Sequence, residues 1–118
     1  MKKILIYDDD LEILQLCKAI LAKNNFIVNT LSRCENILAD IETIRPHLVL
    51  MDLWIPDIGG ERAVSIAKQH HTTRDIPILL FSANADIKEI STKVNANGYV
   101  EKPFSISTFI DTIQKHAL

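Results

Sequence analysis

Apolar residues recur along this chain with two alternating periods. Short apolar runs of strand length lie at Lys3–Tyr7, Phe26–Leu31, Leu48–Met51, Pro77–Phe81 and Tyr99–Glu101. Between them, apolar residues fall three and four apart, the spacing of a helix that buries one face. Ile13, Leu14, Leu16, Cys17, Ile20 and Leu21 make the first such face. Ile37, Leu38, Ile41 and Ile44 make the second, which Pro46 ends. Ala63, Val64, Ile66 and Ala67 make the third. Ile87, Ile90 and Val94 make a short fourth over about 86–94, with Asp86 and Glu89 spaced as a capping pair. Ile106, Phe109, Ile110 and Ile113 make the fifth, which Ser105 can cap and which ends near His116.

Five strand–helix units in strict alternation predict an α/β fold with a parallel sheet. The runs Ile4–Tyr7, Leu48–Met51 and Ile78–Phe81 are apolar at every position, as strands covered on both faces are. The second and fifth runs carry polar residues, Asn29 and Glu101, and suit the edges. Right-handed crossovers then give a doubly wound five-stranded sheet in the order 2-1-3-4-5, with five helices.

The chain has 118 residues, enough for one domain and one core. Hydrophobic residues are 47% and charged residues 24%, which excludes a disordered chain. Thirteen Lys and Arg against fifteen Asp and Glu give a net charge of -2, without the basic excess of a dedicated nucleic-acid binder. Cys17 and Cys34 form no disulfide framework and no metal spacing, and read as small buried hydrophobes. The apolar run after Lys2-Lys3 stops at Asp8, too short for a signal peptide or a membrane span. The expected setting is the cytoplasm.

Open parallel sheets bind ligands beyond the carboxyl ends of their strands, where the winding direction reverses. In this order that point lies between strands 1 and 3. Strand 1 is followed by Asp8-Asp9-Asp10, strand 3 by Asp52, strand 4 by Ser82-Ala83 and strand 5 by Lys102-Pro103. Strand 2, remote from the switch point, ends without distinctive chemistry. A single aspartate here would read as a helix cap. Three in a row, facing Asp52, need another account. Two carboxylates about 4 Å apart repel by about 4 kcal/mol at an effective dielectric of 20. Such a cluster calls for a cation, and hard oxygen donors suit Mg²⁺. Asp52 can serve as ligand, base or nucleophile. Ser82 and Lys102 suit phosphate oxygens. His70-His71, at the end of the third helix, reads as a solvated helix terminus.

On these residues the chain resembles the receiver domains of bacterial two-component response regulators, of the chemotaxis-regulator type. The resemblance rests on Ile4-Leu5-Ile6-Tyr7-Asp8-Asp9-Asp10, on Leu48-Val49-Leu50-Met51-Asp52 with Pro56 four residues on, on Phe81-Ser82-Ala83, and on Gly98-Tyr99-Val100-Glu101-Lys102-Pro103-Phe104. It implies that Asp52 is the phosphoacceptor. It implies that Asp8, Asp9, Asp52 and the Trp54 backbone carbonyl hold Mg²⁺, with Asp9 a direct ligand. Ser82, Ala83 and Lys102 would bind the phosphoryl group, and Ser82 and Tyr99 would form the switch. Trp54 and Asn84, two residues after Asp52 and Ser82, would tune the lifetime of the phosphorylated state. The implied partners are a histidine kinase or a histidine phosphotransfer protein, and a downstream target or output domain. Neither a direct nucleic-acid contact nor a membrane contact is expected. The domain would fill residues 1–118, either as a stand-alone receiver or as the N-terminal piece of a longer regulator. It would assist its own phosphorylation and dephosphorylation without being an enzyme in the ordinary sense.

Two departures stand out. Gly59-Gly60 replaces the usual Asp-Gly after the proline, which predicts a looser loop, and Tyr7 replaces a small aliphatic before the acid pair. Three rivals are weaker. A haloacid-dehalogenase-type phosphatase needs an aspartate where Trp54 stands, and a cap domain. A flavodoxin-like mononucleotide binder has the same winding but needs a Gly/Ser/Thr-rich phosphate loop where the three aspartates are. A degenerate receiver that only binds partners would have lost site residues, and all are present.

Overall fold

The computed structural model describes residues 1–117. Five strands alternate with five helices: β1 Lys3–Tyr7, α1 Leu11–Lys23, β2 Ile27–Leu31, α2 Ile37–Ile44, β3 Leu48–Asp52, α3 Gly60–Gln69, β4 Ile78–Ser82, α4 Ile87–Lys93, β5 Gly98–Glu101 and α5 Ile106–His116. All four strand pairings are parallel and the order is β2-β1-β3-β4-β5. This is the doubly wound, flavodoxin-like winding that the apolar pattern predicts. The radius of gyration is 12.7 Å, close to the roughly 13 Å expected for a compact domain of this size.

β1, β3 and β4 are buried along almost their whole length. Successive side chains point to opposite faces, so each central strand feeds two cores. Ile4, Ile6, Leu48, Leu50, Leu79 and Phe81 pack with the apolar faces of α1 and α5. Leu5, Tyr7, Val49, Met51, Ile78 and Leu80 pack with α2, α3 and α4. Cys17 and Cys34 are fully buried, one in each layer. β2, at one edge, has no buried residue.

The helix starts follow their caps. Asp10 accepts from the backbone N–H groups of Glu12 and Ile13, Asn36 from Ala39 and Ser105 from Thr108. The Asp86–Glu89 capping pair does not form. Asp86 stands at the N-cap of α4 but its side chain accepts no cap hydrogen bond. Its N–H instead donates to Asn84 Oδ1 at 2.7 Å, an Asx turn that starts the helix from two residues earlier. Leu16 is 45% exposed rather than part of the buried face of α1. Phe26 and Pro77 fall outside their strands, while β3 and β4 extend by one residue to take in Asp52 and Ser82.

The double glycine has a geometric role at the end of the 53–59 loop. Gly59 has φ +79, in the region open to glycine. Gly60 opens α3 against the end of β3, where a Cβ would lie 2.3 Å from the Asp52 carbonyl oxygen and 2.7 Å from Leu53 Cα. Its N–H donates to the Leu53 carbonyl at 3.0 Å. Glycine here lets α3 begin directly beside the site.

Candidate functional site

Three carboxylates meet above the carboxyl ends of β1 and β3. Asp8, Asp9 and Asp52 each offer an oxygen, and these oxygens lie within 4.8 Å of one another. Asp8 is 1% exposed and Asp52 4%, whereas Asp9 is open to solvent. Parallel pairing of β1 with β3 sets Tyr7 beside Met51 and so brings the two strand ends together. Asp8 is fixed by its own N–H, which donates to the Leu31 carbonyl at 3.1 Å, and by Oδ1, which accepts from the Asp10 N–H at 2.9 Å. The three consecutive aspartates therefore divide. Asp8 and Asp9 face Asp52, while Asp10 has the plain structural role of capping α1.

Lys102 enters from the loop after β5, held by its N–H on the Ser82 carbonyl at 3.0 Å. Its Nζ stands 2.6 Å from Asp8 Oδ2 and 3.5 Å from Asp52 Oδ1. The same ammonium lies 4.4 Å from the centroid of the Phe81 ring, whose electron-rich face gives it a second favourable partner. Burial disfavours charge on Lys102, but the Asp8 hydrogen bond and both carboxylates outweigh it and raise its pKa. Burial pushes Asp52 up to about 6, Asp8 and Asp9 add to the rise, and Lys102 opposes it. One half-buried cation thus faces three acids, which leaves a surplus of negative charge. The donor set is all hard oxygen with one open, solvated member, and it fits a hydrated Mg²⁺.

The remaining sequence-predicted residues surround this centre. Ser82 is buried, and its Oγ accepts from the Asn84 N–H at 3.0 Å, so its own proton can be donated elsewhere. Ala83 is exposed at the strand end. Asn84 uses Oδ1 on Asp86, which leaves its amide N–H groups as the end able to meet a ligand. Trp54 is 70% exposed, so packing in a core does not explain it. It lines a cavity of about 590 Å³ between the 53–59 loop, α3 and α4, together with Asn84, Ile58 and Ile90. Tyr99 is half-buried in β5 and packs on the α2–α4 side of the sheet.

Two features escape sequence reasoning. Phe81 is the floor under Lys102, a contact that depends on the path of the β5–α5 loop. Tyr7 is fully buried and donates to Asp40 Oδ2 of α2 at 2.8 Å. Burial and that hydrogen bond both raise its pKa, so it stays neutral. The departure at position 7 is thereby explained by a partner on α2 rather than by the site. His70 caps α3 and stacks on His71 at 4.7 Å, a solvent-side terminus as expected.

Comparison with known proteins gives one answer. The family profile described as "Response regulator receiver domain" matches residues 4–114. The transcriptional regulatory protein KdpE of Staphylococcus aureus is 33% identical over 106 residues, which are 88% of this chain and 45% of that protein. The chain spans about half or less of the length of the curated relatives it matches. The chemotaxis response regulator CheY4 of Vibrio cholerae superposes with a TM-score of 0.89 at 26% identity, covering 100% of this chain and 99% of that one. The receiver domain of the sensor histidine kinase PA1611 of Pseudomonas aeruginosa has the same fold, with a TM-score of 0.87 at 23% identity over 98% of this chain and 97% of that one. That protein carries a magnesium ion coordinated in its active site cleft.

Proposed function

Because the chain belongs to the response regulator receiver domain family, we propose that it accepts a phosphoryl group on Asp52, in a reaction that depends on Mg²⁺, and passes the change to a partner. The observation that carries this reading is the position of Lys102, whose Nζ reaches Asp8 and Asp52 at once above the Phe81 ring. A structural salt bridge needs one acid; this one sits in a cluster of three.

The donor would be a phosphohistidine on a histidine kinase or a phosphotransfer protein. Asp52 Oδ bonds to phosphorus as the phosphorus–nitrogen bond breaks, and the leaving imidazole keeps the electron pair and takes a proton. Asp8 and Asp9 with Asp52, and the Trp54 carbonyl, would hold Mg²⁺, with Asp9 as a direct ligand. When bound, that ion supplies charge neutralisation for the carboxylates and the phosphoryl oxygens. Lys102, Ser82 and the backbone at Ala83 would receive those oxygens, so catalysis is mainly positioning and electrostatics. Water attacking the same phosphorus would end the signal by breaking the Asp52 oxygen–phosphorus bond, which releases inorganic phosphate and restores the carboxylate, and Trp54 and Asn84 would flank its approach.

For the response, the Ser82 hydroxyl would turn to a phosphoryl oxygen and give up the Asn84 N–H. Tyr99 would follow, so that α4, β5 and α5 form the readout surface. No helix among the described residues is long and apolar enough to cross a membrane, and we place the domain, residues 1–118, in the cytoplasm. The output is a separate target or an attached domain, with no nucleic-acid contact by this domain itself. The test is mass spectrometry after treatment with acetyl phosphate. One phosphoryl group should appear with Mg²⁺, vanish with chelator and vanish in Asp52→Asn. Labelling that survives in Asp52→Asn overturns the assignment.

A further inference from the structure

The loop over residues 53–59 leaves β3 at Asp52, and it is held at two places. Near the site, Ile55 N–H donates to the Asp52 carbonyl at 3.3 Å and Gly60 N–H to Leu53 at 3.0 Å. At its apex the loop is bound to the β2–α2 connection. Cys34 and Asp57 form a parallel bridge, Cys34 N–H donates to Pro56 at 3.2 Å and Ile58 N–H to Cys34 at 3.2 Å. Over this bridge Arg33 grips Asp57 with a fork, Nε to Oδ2 at 2.8 Å and Nη2 to Oδ1 at 2.9 Å. Nη2 also meets Glu35 at 2.9 Å, which holds the guanidinium in place.

Asp57 has φ +81, a left-handed conformation that costs a residue with a side chain. Aspartate tolerates it better than most, and here the carboxylate is used to lock it. Two parallel N–H···O bonds fix orientation as well as distance. Without the fork no side chain would hold Asp57 in that conformation, and the loop between Asp52 and Asp57 would be tied at its apex by the backbone bonds to Cys34 alone.

We propose that Arg33 is a positioning residue for the acid site: by locking Asp57 it fixes the loop that carries Trp54, and so sets how well the site receives its cation. The inference rests on the function proposed above for the cation but concerns residues outside the acid cluster. Arg33 touches none of Asp8, Asp9, Asp52 or Lys102; its side-chain partners are Glu35 and Asp57. By linkage, an occupied site would in turn stabilise the Arg33–Asp57 lock.

Two measurements test this on the full chain. The first is calorimetric titration with MgCl₂ of the wild type, Arg33→Met, Asp57→Gly, the double variant and Arg33→Lys. Each single change should weaken binding about three- to tenfold, the double variant no further than either single, and Arg33→Lys by an intermediate amount, because a point charge cannot make the fork. Asp57→Gly removes the carboxylate and, because glycine takes φ +81 without strain but is not held there, its loss of affinity reports the missing fork and not backbone strain. The second is amide hydrogen exchange in metal-free protein. Arg33→Met should speed exchange at Leu53 and Ile55 and leave the β1, β3 and β4 amides unchanged. Equal Mg²⁺ affinity in the wild type and both single variants, a double variant that sums the two losses, or exchange that rises across the whole sheet, each overturns the proposal. If the wild type itself binds no Mg²⁺, the metal assignment of the acid site fails, and unchanged exchange at Leu53 and Ile55 would then sink the lock on its own.

Discussion

Lys102 is bound closely to Asp8, at 2.6 Å, and only loosely to Asp52, at 3.5 Å. The difference matters chemically. Asp8 is neutralised by a short ion pair, while Asp52 keeps much of its burial penalty and an oxygen that is weakly engaged. The imbalance suits the nucleophilic role proposed for Asp52, because a carboxylate tied down by a short ion pair would have to break it before attacking. The same imbalance generates predictions that do not depend on any partner.

Removing the ammonium should expose the repulsion it screens. In chelator, Lys102→Met is expected to destabilise the fold by about 3 kcal/mol, the scale for breaking one side of a buried ion pair. Labelling by acetyl phosphate should fall by about 10²–10³-fold, as when a group aimed at developing charge is lost. Denaturant titration and labelling time courses check the two effects separately. Saturating Mg²⁺ should recover part of the stability but not the labelling rate.

Asp52 carries a pH signature with a definite sign. Its pKa rises from 3.8 to about 6 on folding, chiefly by burial, so the folded state holds the proton more tightly than the unfolded chain does. Stability is therefore lost as pH climbs from about 4 to 6, and the full penalty persists above that. Two pH units correspond to at most about 3 kcal/mol. Asp52→Asn should be more stable than the wild type at pH 7 in chelator. The gain should vanish as pH falls through about 4, and shrink when Mg²⁺ is added. Thermal melts over pH 4–8 read this directly, and a variant less stable at pH 7 would contradict it.

The close approach at Gly60 gives a third test. A methyl there would meet main-chain atoms of Asp52 and Leu53 at 2.3 and 2.7 Å, and main chain cannot rotate aside. Gly60→Ala should cost about 1–3 kcal/mol by overpacking. It should also slow labelling, since the displaced backbone belongs to Asp52, the proposed phosphoacceptor. Gly59→Ala is the contrast. No atom lies within 4 Å of its added methyl, so only the strain at φ +79 is felt, and chemistry should be less affected.

These effects differ in how far the sequence announces them. β1, β3 and β4 are legible because burial on both faces demands an apolar residue at every position, and because runs this short, alternating with helical faces, suit strands better than buried helices. Their order then places Asp8, Asp9, Asp52, Ser82 and Lys102 at one end, so the acid centre is legible too. The division of Asp8-Asp9-Asp10 is legible only through the family resemblance, because all three residues have the same chemistry and only the direction of α1 separates the cap from the cluster. The cap of α4 is misread because Asn84 competes for the same turn two residues earlier. The Arg33–Asp57 lock is invisible for another reason. It joins two loops 24 positions apart through a residue in a left-handed conformation, and neither periodicity nor composition records either fact.

The last prediction concerns Trp54. An aspartyl phosphate is lost when water attacks phosphorus in line, so whatever occupies the approach sets the lifetime. Trp54 lines the same groove as Asn84, and it is 70% exposed. Its indole can donate a hydrogen bond but cannot accept a proton, so it cannot activate water. The side chain buries little in the resting protein, and its removal should leave stability nearly unchanged. It should instead act by bulk, by excluding water once the phosphoryl group is present. Trp54→Asn is therefore expected to speed loss of label, with each ~1.4 kcal/mol of lost shielding seen as about a tenfold change in rate. Asn84→Ala should have the opposite or no effect, since it removes an amide able to orient water while leaving the indole in place. Decay of the ³²P-labelled protein measures both. Slower or equal decay in Trp54→Asn would show that the ring points along the groove toward α3 and α4 and never covers the phosphoryl group. As the chain's one tryptophan, Trp54 also supplies an independent signal: its emission should shift on adding Mg²⁺, and again on phosphorylation, if the indole lies over the site.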